Sequence, residues 1–531
     1  MTAFVSNPSP GIKTSTPAHA GRVLFLLAAA ALLVNFIETM LVPALPRLAS
    51  FFGNAPYTTV AWVLSAYLVV GVCTTPVFAK LGDLYGKRRV LAIVLGIYSV
   101  AVGLAPATPQ LGAFLGLGPA QSIYLLIGIR GVQGLGLAMF PLALAMITES
   151  VPRERVAPAQ GLIASMFAAG AATGLVGGAW LIQTAGWQLA YLSVFPFVVL
   201  LPLLAVLWLP EGHLGSGGVM DLPGAALLGG ALASLLVGLT LGPTWGWSRW
   251  TSHSLGGVGF GVPGLFALAA ACTGLFVWRE RVAKEPIINL ARLRQRNISL
   301  SYLGALLVGL GLFTAFVVLT VLVEFPIVGL GDSVLAFGLA SVPTTLSMFV
   351  AAPLVGRGVA RYGPRPFVLL GAALSITGFL LLLTYHATYV ELVVEAVPTF
   401  VGLVTVLVSV TNVIALAAHH GETGIHMGMT EMFQDLGASA GPVLVATFLA
   451  TYTRTISVPT GPGTAIALTV PSSVAFTWIF IVGAVVAGAL AVVGLLLENH
   501  RVAPATALRV SEQPRSAESE TGTAPPLAAD P

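Results

Sequence analysis

The sequence predicts an all-helical integral membrane protein with 14 transmembrane helices, arranged as two pseudo-symmetric six-helix bundles and an inserted helix pair. Three observations predict this class: the scarcity of charge, the number of long apolar runs, and the placement of Lys and Arg between those runs. Only 8% of the 531 residues are charged, 56% are hydrophobic, and the mean hydropathy is +0.93. Because a soluble chain carries about 25% charged residues, this chain cannot build a water-facing surface.

The apolar runs are each long enough to cross a bilayer, which takes about 20 helical residues. Two cysteines, Cys73 and Cys272, lie inside such runs, and this placement favours small buried side chains over a disulfide or a metal site. The 14 predicted spans are approximately 23–43, 58–78, 90–106, 122–147, 160–182, 189–209, 222–242, 258–278, 299–322, 334–355, 367–385, 393–417, 427–452 and 474–497.

The distribution of Lys and Arg orients these helices. If both termini are cytoplasmic, 20 of the 24 Lys and Arg residues lie in cytoplasmic segments, Arg47, Arg249 and Arg454 lie outside, and Arg130 lies within a span. Because loops rich in Lys and Arg stay on the cytoplasmic side, this bias predicts an even number of spans in the cell (inner or plasma) membrane. Orientation also explains the net charge of +4, so we expect no nucleic-acid partner.

The spans divide the chain into five predicted regions. Residues 1–20 lack the layout of a cleaved signal peptide, so the first span is expected to be retained. The tail is rich in Ala, Pro, Ser and Glu, a composition typical of disorder. The predicted regions are a disordered cytoplasmic N-terminus at 1–21, an N-terminal six-helix bundle at 22–210, an inserted helix pair with linkers at 211–297, a C-terminal six-helix bundle at 298–500, and a disordered cytoplasmic tail at 501–531.

A basic turn at Ala79–Arg89 separates the second and third spans. It holds one carboxylate, Asp83, the glycines Gly82 and Gly86, and a run of basic residues that includes Arg88. This turn resembles the signature loop of the major facilitator superfamily, which implies that Asp83, Gly86 and Arg88 form a gate in which the acid meets the end of a neighbouring helix. Topology alone is the alternative role for the turn.

A degraded copy of this turn, residues 356–365, follows the tenth span. If the seventh and eighth spans are an insert, the tenth span corresponds to the second, and the remaining twelve form two six-helix halves around a central site. Chance similarity between two basic loops is the alternative.

Further segments resemble the fourteen-helix drug:proton antiporter branch of that superfamily, over about Phe36 to Leu497. They are Trp62–Tyr67 in the second span, Arg130–Gly136 in the fourth, Asp221 and Trp245–Trp247 around the seventh, and Pro286–Leu290 before the second half. The resemblance implies a secondary transporter that works by alternating access.

Two segments depart from the pattern of that branch. The fifth span keeps the glycines expected to pack helices closely, Gly170, Gly174, Gly177 and Gly178, but it lacks the usual proline. In the first span the branch has an acid nine residues before the last proline, a position that Ile37 occupies here, whereas the acid is Glu38. One residue rotates a side chain by about 100° on a helix.

Four ionisable residues are candidates for coupling proton and substrate binding. Arg130 is predicted to contact substrate or to modulate a carboxylate, with a structural ion pair or a carbonyl cap as the alternative. Glu38 is predicted at a similar depth, where a pairing with Arg130 is possible; its alternative is a carboxylate that reaches the outer headgroups. Glu431 and Asp435, at i and i+4, share one face of the thirteenth span.

The pair Glu431 and Asp435 is expected to bind a proton or a cationic substrate, because like charges held close together titrate as a coupled pair. The alternative is that this helix starts later and both acids face a loop. His419, His420 and His426 cluster nearby without a recognisable ligand spacing, so we expect solvated loop residues and no metal. No Walker-type loop is present to power ATP-driven pumping.

These features predict a secondary active transporter that uses the proton gradient to expel lipophilic small molecules. Its expected partners are a small-molecule substrate, protons and the lipid bilayer; we expect a monomer, no cofactor and no enzymatic activity. Two alternatives stay open. One is an importer, uniporter or metabolite exporter of the same fold, which the missing proline in the fifth span favours. The other is a membrane scaffold or sensor without transport activity.

Overall fold

Long apolar segments fold as helices in a bilayer because every backbone N–H and C=O must find its partner within the segment. The structure is a computed structural model, and it describes residues 17–41, 48, 50–53, 55, 57–210, 219–249, 253–255, 258–283, 286–288, 290–324, 330, 334–384, 388–417, 422–461 and 464–498. Fourteen helical segments in these ranges are long and apolar enough to span a membrane, which is the predicted number.

The described residues form helices α1 (Pro17–Met40), α2 (Tyr57–Tyr85), α3 (Lys87–Leu104), α4 (Thr108–Phe114), α5 (Pro119–Gly134), α6 (Met139–Ser150), α7 (Arg153–Ala185), α8 (Trp187–Trp208), α9 (Leu222–Trp245), α10 (Val262–Val282), α11 (Leu290–Leu293), α12 (Arg296–Glu324), α13 (Val334–Tyr362), α14 (Pro364–Leu381), α15 (Tyr389–Ala417), α16 (Thr423–Thr451) and α17 (Ser473–Leu496). Short 3-10 turns at Ala105–Ala107 and Leu135–Ala138 follow α3 and α5. Two antiparallel hairpins pair β1 (His253–Leu255) with β2 (Val258–Phe260), and β3 (Thr453–Gly461) with β4 (Thr464–Pro471).

Several predicted boundaries were wrong. Helix α1 begins at Pro17, so residues 17–21 are helical rather than disordered; residues 1–16 and 501–531 lie outside the described residues. The eighth span begins at Val262, since 258–260 form strand β2, and neither hairpin was predicted. Strands β3 and β4 are rich in Thr, Val and Ile, a composition typical of strands.

Glycines with positive φ separate consecutive spans. Gly186 (φ +84°) ends α7 and begins α8, which fixes the division predicted near 183–189. Gly86 (φ +95°) lies between α2 and α3, and Gly363 (φ +86°) lies between α13 and α14. The signature turn and its degraded copy therefore use the same left-handed glycine to reverse the chain.

Close packing of α1 against α7 depends on the glycines of the fifth span. A Cβ atom at Gly170, Gly174 or Gly178 would collide with the backbone of α1 at Leu32, Phe36 or Met40. Gly177 is looser, because its Cβ would only make ordinary contact with the Phe36 ring. All four glycines predicted to pack helices thus lie at the α1–α7 contact, and three of them are pressed against the α1 backbone.

The second half repeats this arrangement between α12 and α16. Added Cβ atoms at Gly309, Gly437 and Gly441 would meet the opposing backbone at Gln434, Leu306 and Thr314. The first span thus packs on the fifth as the ninth packs on the thirteenth, which agrees with two related six-helix bundles.

The halves meet along two related seams, α7 against α13 and α2 against α16. At the first seam, Cβ atoms at Gly161 and Gly356 would strike the carbonyl oxygens of Ala352 and Ala157. These contacts lie near the start of α7 and the end of α13. They therefore fall on the same membrane face as the turn between α2 and α3.

The inserted pair, α9 and α10, touches both halves through α9, which packs against α2 and α16. Asp221 begins α9 by accepting from Gly224 N at 3.2 Å, and Arg279 Nε lies 3.1 Å from its Oδ2. Hydrogen bonds from Arg279 hold the pKa of Asp221 below its ordinary value. Glu280 accepts from the backbone N–H groups of Ile287 and Ile288, at 3.3 and 2.9 Å, and fixes the link to the second half.

Candidate functional site

Asp83 joins the two halves at the end of α2. Its Oδ1 accepts from Gly424 N at 3.0 Å and its Oδ2 accepts from Ile425 N at 2.7 Å, both in the first turn of α16. The side chain is 2% exposed. Because the first N–H groups of a helix have no partner within the helix and favour a negative charge, Asp83 closes this seam as the expected acid-to-helix contact.

A lysine that the sequence analysis did not single out neutralises Asp83. Lys87 Nζ lies 2.7 Å from Asp83 Oδ1 and 2.8 Å from Glu149 Oε1, and it is 6% exposed. Arg88, the predicted basic member of the gate, is half-buried beside it. The spacing of Asp83 and Lys87, i and i+4, was the available signal. We refer to Asp83, Lys87, Glu149 and the Gly424 and Ile425 amides as the clamp.

Arg130 is completely buried, and backbone carbonyls hold much of its guanidinium. Nε donates to Val63 O at 3.0 Å, Nη1 donates to Gln133 Oε1 at 2.8 Å, and Nη2 lies 3.5 Å from the carbonyl oxygen of Glu38. These contacts tie α1, α2 and α5 together, as the carbonyl-cap alternative expects. A further role for Arg130 in coupling stays a prediction.

Glu38 faces Tyr67 rather than the arginine. Tyr67 OH donates to Glu38 Oε2 at 3.3 Å, and the guanidinium carbon of Arg130 lies 4.6 Å above the Tyr67 ring. Ile37, at the position where the branch carries its acid, is fully buried in the apolar core. The one-residue shift therefore places the Glu38 carboxylate against the hydroxyl of the ring that Arg130 covers, while the hydrogen bond from Arg130 goes to the Glu38 backbone.

The two acids of the thirteenth span lie well inside the membrane domain. Helix α16 begins at Thr423, so Glu431 is about 12 Å along its axis at 1.5 Å per residue, and the alternative of loop-facing acids was wrong. Glu431 is 4% exposed and Asp435 is half-buried. Among the described residues, Asp435 Oδ2 is a buried atom without a hydrogen-bond partner.

Acids from both halves lie within electrostatic range of one another here. The charges of Glu38 and Glu431 act on each other, and Asp435 interacts with both. Glu38 belongs to α1 and the other two belong to α16, so the group spans the interface between the bundles. We call these three residues the acid cluster; a carboxylate there loses its hydration and favours a proton or a cation.

The expectation of a solvated loop was wrong for His426, which lies in the first turns of α16 and is 7% exposed. Its Nδ1 lies 2.7 Å from Tyr302 OH, and Tyr302 in turn stacks on Phe433. His419 and His420 lie outside the described residues.

Sequence reasoning also missed the polar layer behind Arg130. Gln133 is fully buried, donates to Ala101 O at 3.1 Å, and lies 3.5 Å from Tyr191 OH. The available signal was a second polar residue three positions after an intramembrane arginine. Tyr67 gave no signal of this kind, because tyrosine is common in apolar helices.

Comparison with known proteins places this geometry in a family. The family model of the Major Facilitator Superfamily matches residues 27–442. The chain is 26% identical to the multidrug transporter protein MdtP of Bacillus subtilis over 411 residues, covering 76% of this chain and 70% of that protein. It is 25% identical to the multidrug efflux pump LfrA of Mycolicibacterium smegmatis, covering 84% of each chain. It is 26% identical to the tetracenomycin C resistance and export protein of Streptomyces glaucescens, covering 80% of this chain and 75% of that protein.

Solved structures share the fold at low sequence identity. The human organic anion transporter MFSD10 has a TM-score of 0.57 at 18% identity, covering 91% of this chain and 100% of that one. The proton:xylose symporter XylE has a TM-score of 0.56 at 13% identity, covering 88% of this chain and 94% of that one.

Proposed function

Since the chain belongs to the major facilitator superfamily, we propose that it exports lipophilic small molecules across the cell membrane in exchange for protons, by alternating access. The observation that carries the proposal is the acid cluster, in which Glu38 of one half interacts electrostatically with Glu431 and Asp435 of the other. The names of the relatives MdtP, LfrA and the tetracenomycin C exporter support drug-like substrates that leave the cell.

Coupling between proton binding and substrate binding follows from the energetic cost of ionised carboxylates in the acid cluster. Three carboxylates with interacting charges cannot all stay ionised in a poorly hydrated interface, so the cluster holds protons or exchanges them for a substrate. Rocking of the halves separates Glu38 from the acids of α16, and this separation changes how readily each releases its proton. One charge moving down 100 mV releases about 2.3 kcal/mol, which is enough to drive a concentration gradient.

The clamp connects this chemistry to access. Asp83 holds the first turn of α16, and the same helix carries Glu431 and Asp435 about two and three turns further along. Opening that face of the membrane requires the release of both amide contacts. We assign the clamp to the cytoplasmic side, with both termini on that side, because 20 of the 24 Lys and Arg residues then lie in cytoplasmic segments. We take the working unit to be a monomer.

The test is transport in liposomes that contain the purified protein, with ethidium as the transported probe and pyranine as the lumenal pH indicator. In the wild-type protein an imposed pH gradient should drive ethidium against its own gradient, and ethidium flux should move protons the opposite way. Glu38→Gln and the double variant Glu431→Gln/Asp435→Asn should abolish the pH-driven flux.

The matched control is Glu391→Gln, which removes an exposed acid from the first turn of α15. It should transport as the wild type does. Flux indifferent to the pH gradient would indicate a uniporter, and protons moving with ethidium would indicate a symporter; either result would overturn the proposal. Unchanged coupling in both carboxyl variants would remove the acid cluster from the mechanism.

A further inference from the structure

We propose that Tyr67 is a positioning residue that sets the proton exchange of Glu38, an inference that rests on the proposed proton coupling. Tyr67 lies in the middle of α2 and is fully buried. Its hydroxyl donates to Glu38 Oε2 at 3.3 Å, while its ring lies under the Arg130 guanidinium at 4.6 Å. The Tyr67 side chain therefore contacts both the carboxylate of Glu38 and the guanidinium of Arg130.

The ring and the hydroxyl of Tyr67 bridge the two charged groups. Arg130 donates to Val63 O, Gln133 Oε1 and the carbonyl oxygen of Glu38, and its guanidinium lies over the Tyr67 ring. A cation over a ring is attracted to it by about 0.5–2 kcal/mol. This attraction fixes the ring, and the fixed ring aims the hydroxyl at Oε2.

The titratable and charged groups around Glu38 come from several elements. Tyr67 comes from α2, Arg130 from α5 and Tyr98 from α3, while Glu431 and Asp435 come from α16. Helix α7, which also packs on α1, accepts from the neighbouring residues Asn35 and Thr39 through its backbone carbonyls. The hydroxyl of Tyr67 is the group among these that donates to the Glu38 carboxylate.

A hydroxyl that donates to a carboxylate stabilises its deprotonated form. Removing only that hydroxyl should therefore make proton release from Glu38 harder, and proton-driven export should need a more alkaline pH. A hydrogen bond to a charged group contributes about 1.5–3 kcal/mol. Because the Tyr67 contact is long, we expect the lower part of that range.

The experiment compares Tyr67→Phe with Tyr98→Phe in the liposome assay with ethidium. Tyr98 is an equally buried tyrosine whose hydroxyl lies 3.3 Å from the backbone carbonyl of Val34. Tyr67→Phe keeps the ring under Arg130, so the fold should persist. Its pH profile of export should move up by about one unit, a tenfold change in proton affinity, whereas Tyr98→Phe should follow the wild type.

A second measurement does not need a substrate. Infrared titration of the reconstituted protein follows the carboxyl band that disappears in Glu38→Gln, and in Tyr67→Phe the midpoint of that band should rise by the same amount. A wild-type profile and midpoint in Tyr67→Phe would overturn the inference while leaving the proposed function intact. An equal shift in both tyrosine variants would also overturn it. Coupling that persists in Glu38→Gln would instead count against the proposed function.

Discussion

Replacing Asp83 by Asn tests whether the clamp holds the two halves together. The carboxylate accepts two N–H groups from the first turn of α16 and pairs with Lys87 at 2.7 Å. An Asn side chain keeps one acceptor oxygen and turns an amide donor toward the second N–H group. Lys87 keeps its contact with Glu149 but loses the negative charge of its other partner.

The magnitude follows from these contacts. A hydrogen bond to a charged group is worth about 1.5–3 kcal/mol and one between neutral groups about 0.5–1.5 kcal/mol. In Asp83→Asn one of the two hydrogen bonds is lost and the other becomes a bond between neutral groups. Together these changes should destabilise the closed clamp by about 2–4 kcal/mol. At 1.4 kcal/mol per tenfold change, the equilibrium between closed and open clamp should shift by about 30-fold to 700-fold toward open.

The assay is a distance distribution between spin labels at Tyr85 and Tyr362, which are exposed, end α2 and α13, and lie on opposite halves at the clamp face. Native Cys73 and Cys272 are replaced first. Asp83→Asn should populate longer distances. Asp221→Asn is the matched control, because it removes an acid from a helix N-terminus within the inserted pair. Unchanged distances in Asp83→Asn would refute the reasoning that the clamp stabilises closure.

Three other predictions concern stability and the buried arginine. Gly437→Ala places a Cβ against the backbone of α12 and should destabilise the protein by about 1–3 kcal/mol in thermal unfolding, whereas Gly488→Ala, at a position with open space around the glycine, should not. The pKa of Asp221 is lowered by Arg279, so its contribution to stability is present at neutral pH and is lost as the pH falls through that lowered value; Asp221→Asn should lower the melting temperature at pH 7, and the difference should vanish in acid. Arg130→Ala leaves carbonyls of α1 and α2 unpaired in a buried site, so it should lower both the melting temperature and ethidium export, and an unaltered melting temperature would contradict its role as a carbonyl cap.

Helix α16 belongs to both the clamp and the acid cluster and so connects them physically. Its first turn is held by Asp83, its middle carries two acids, and its glycines press against α12. In the proposed mechanism, a shift of α16 at the clamp would move the two acids with it.

The sequence predicted the parts of the site that depend on local pattern. Asp83 was expected to meet a helix end, and the structure gives it the amides of Gly424 and Ile425. Glu431 and Asp435 share a helix because four residues make about one turn. The sequence did not identify Lys87 as the partner of Asp83, and it placed His426 in a loop although it lies buried against Tyr302.

The sequence by itself determined the number of spans, the internal repeat, and which residues carry charge within the membrane. These are properties of segment length and composition. They can be recognised in the sequence alone, because moving a charge or an unpaired backbone group into hydrocarbon is costly. Only the tertiary structure decided that Glu38 meets Tyr67 and lies near the acids of α16, and that Arg130 bonds to backbone carbonyls. In a membrane, lipid-facing and protein-facing surfaces are both apolar, so the pattern does not fix how a helix is rotated. The packing of glycines against neighbouring backbones fixes that rotation, and with it the partners of each buried polar group.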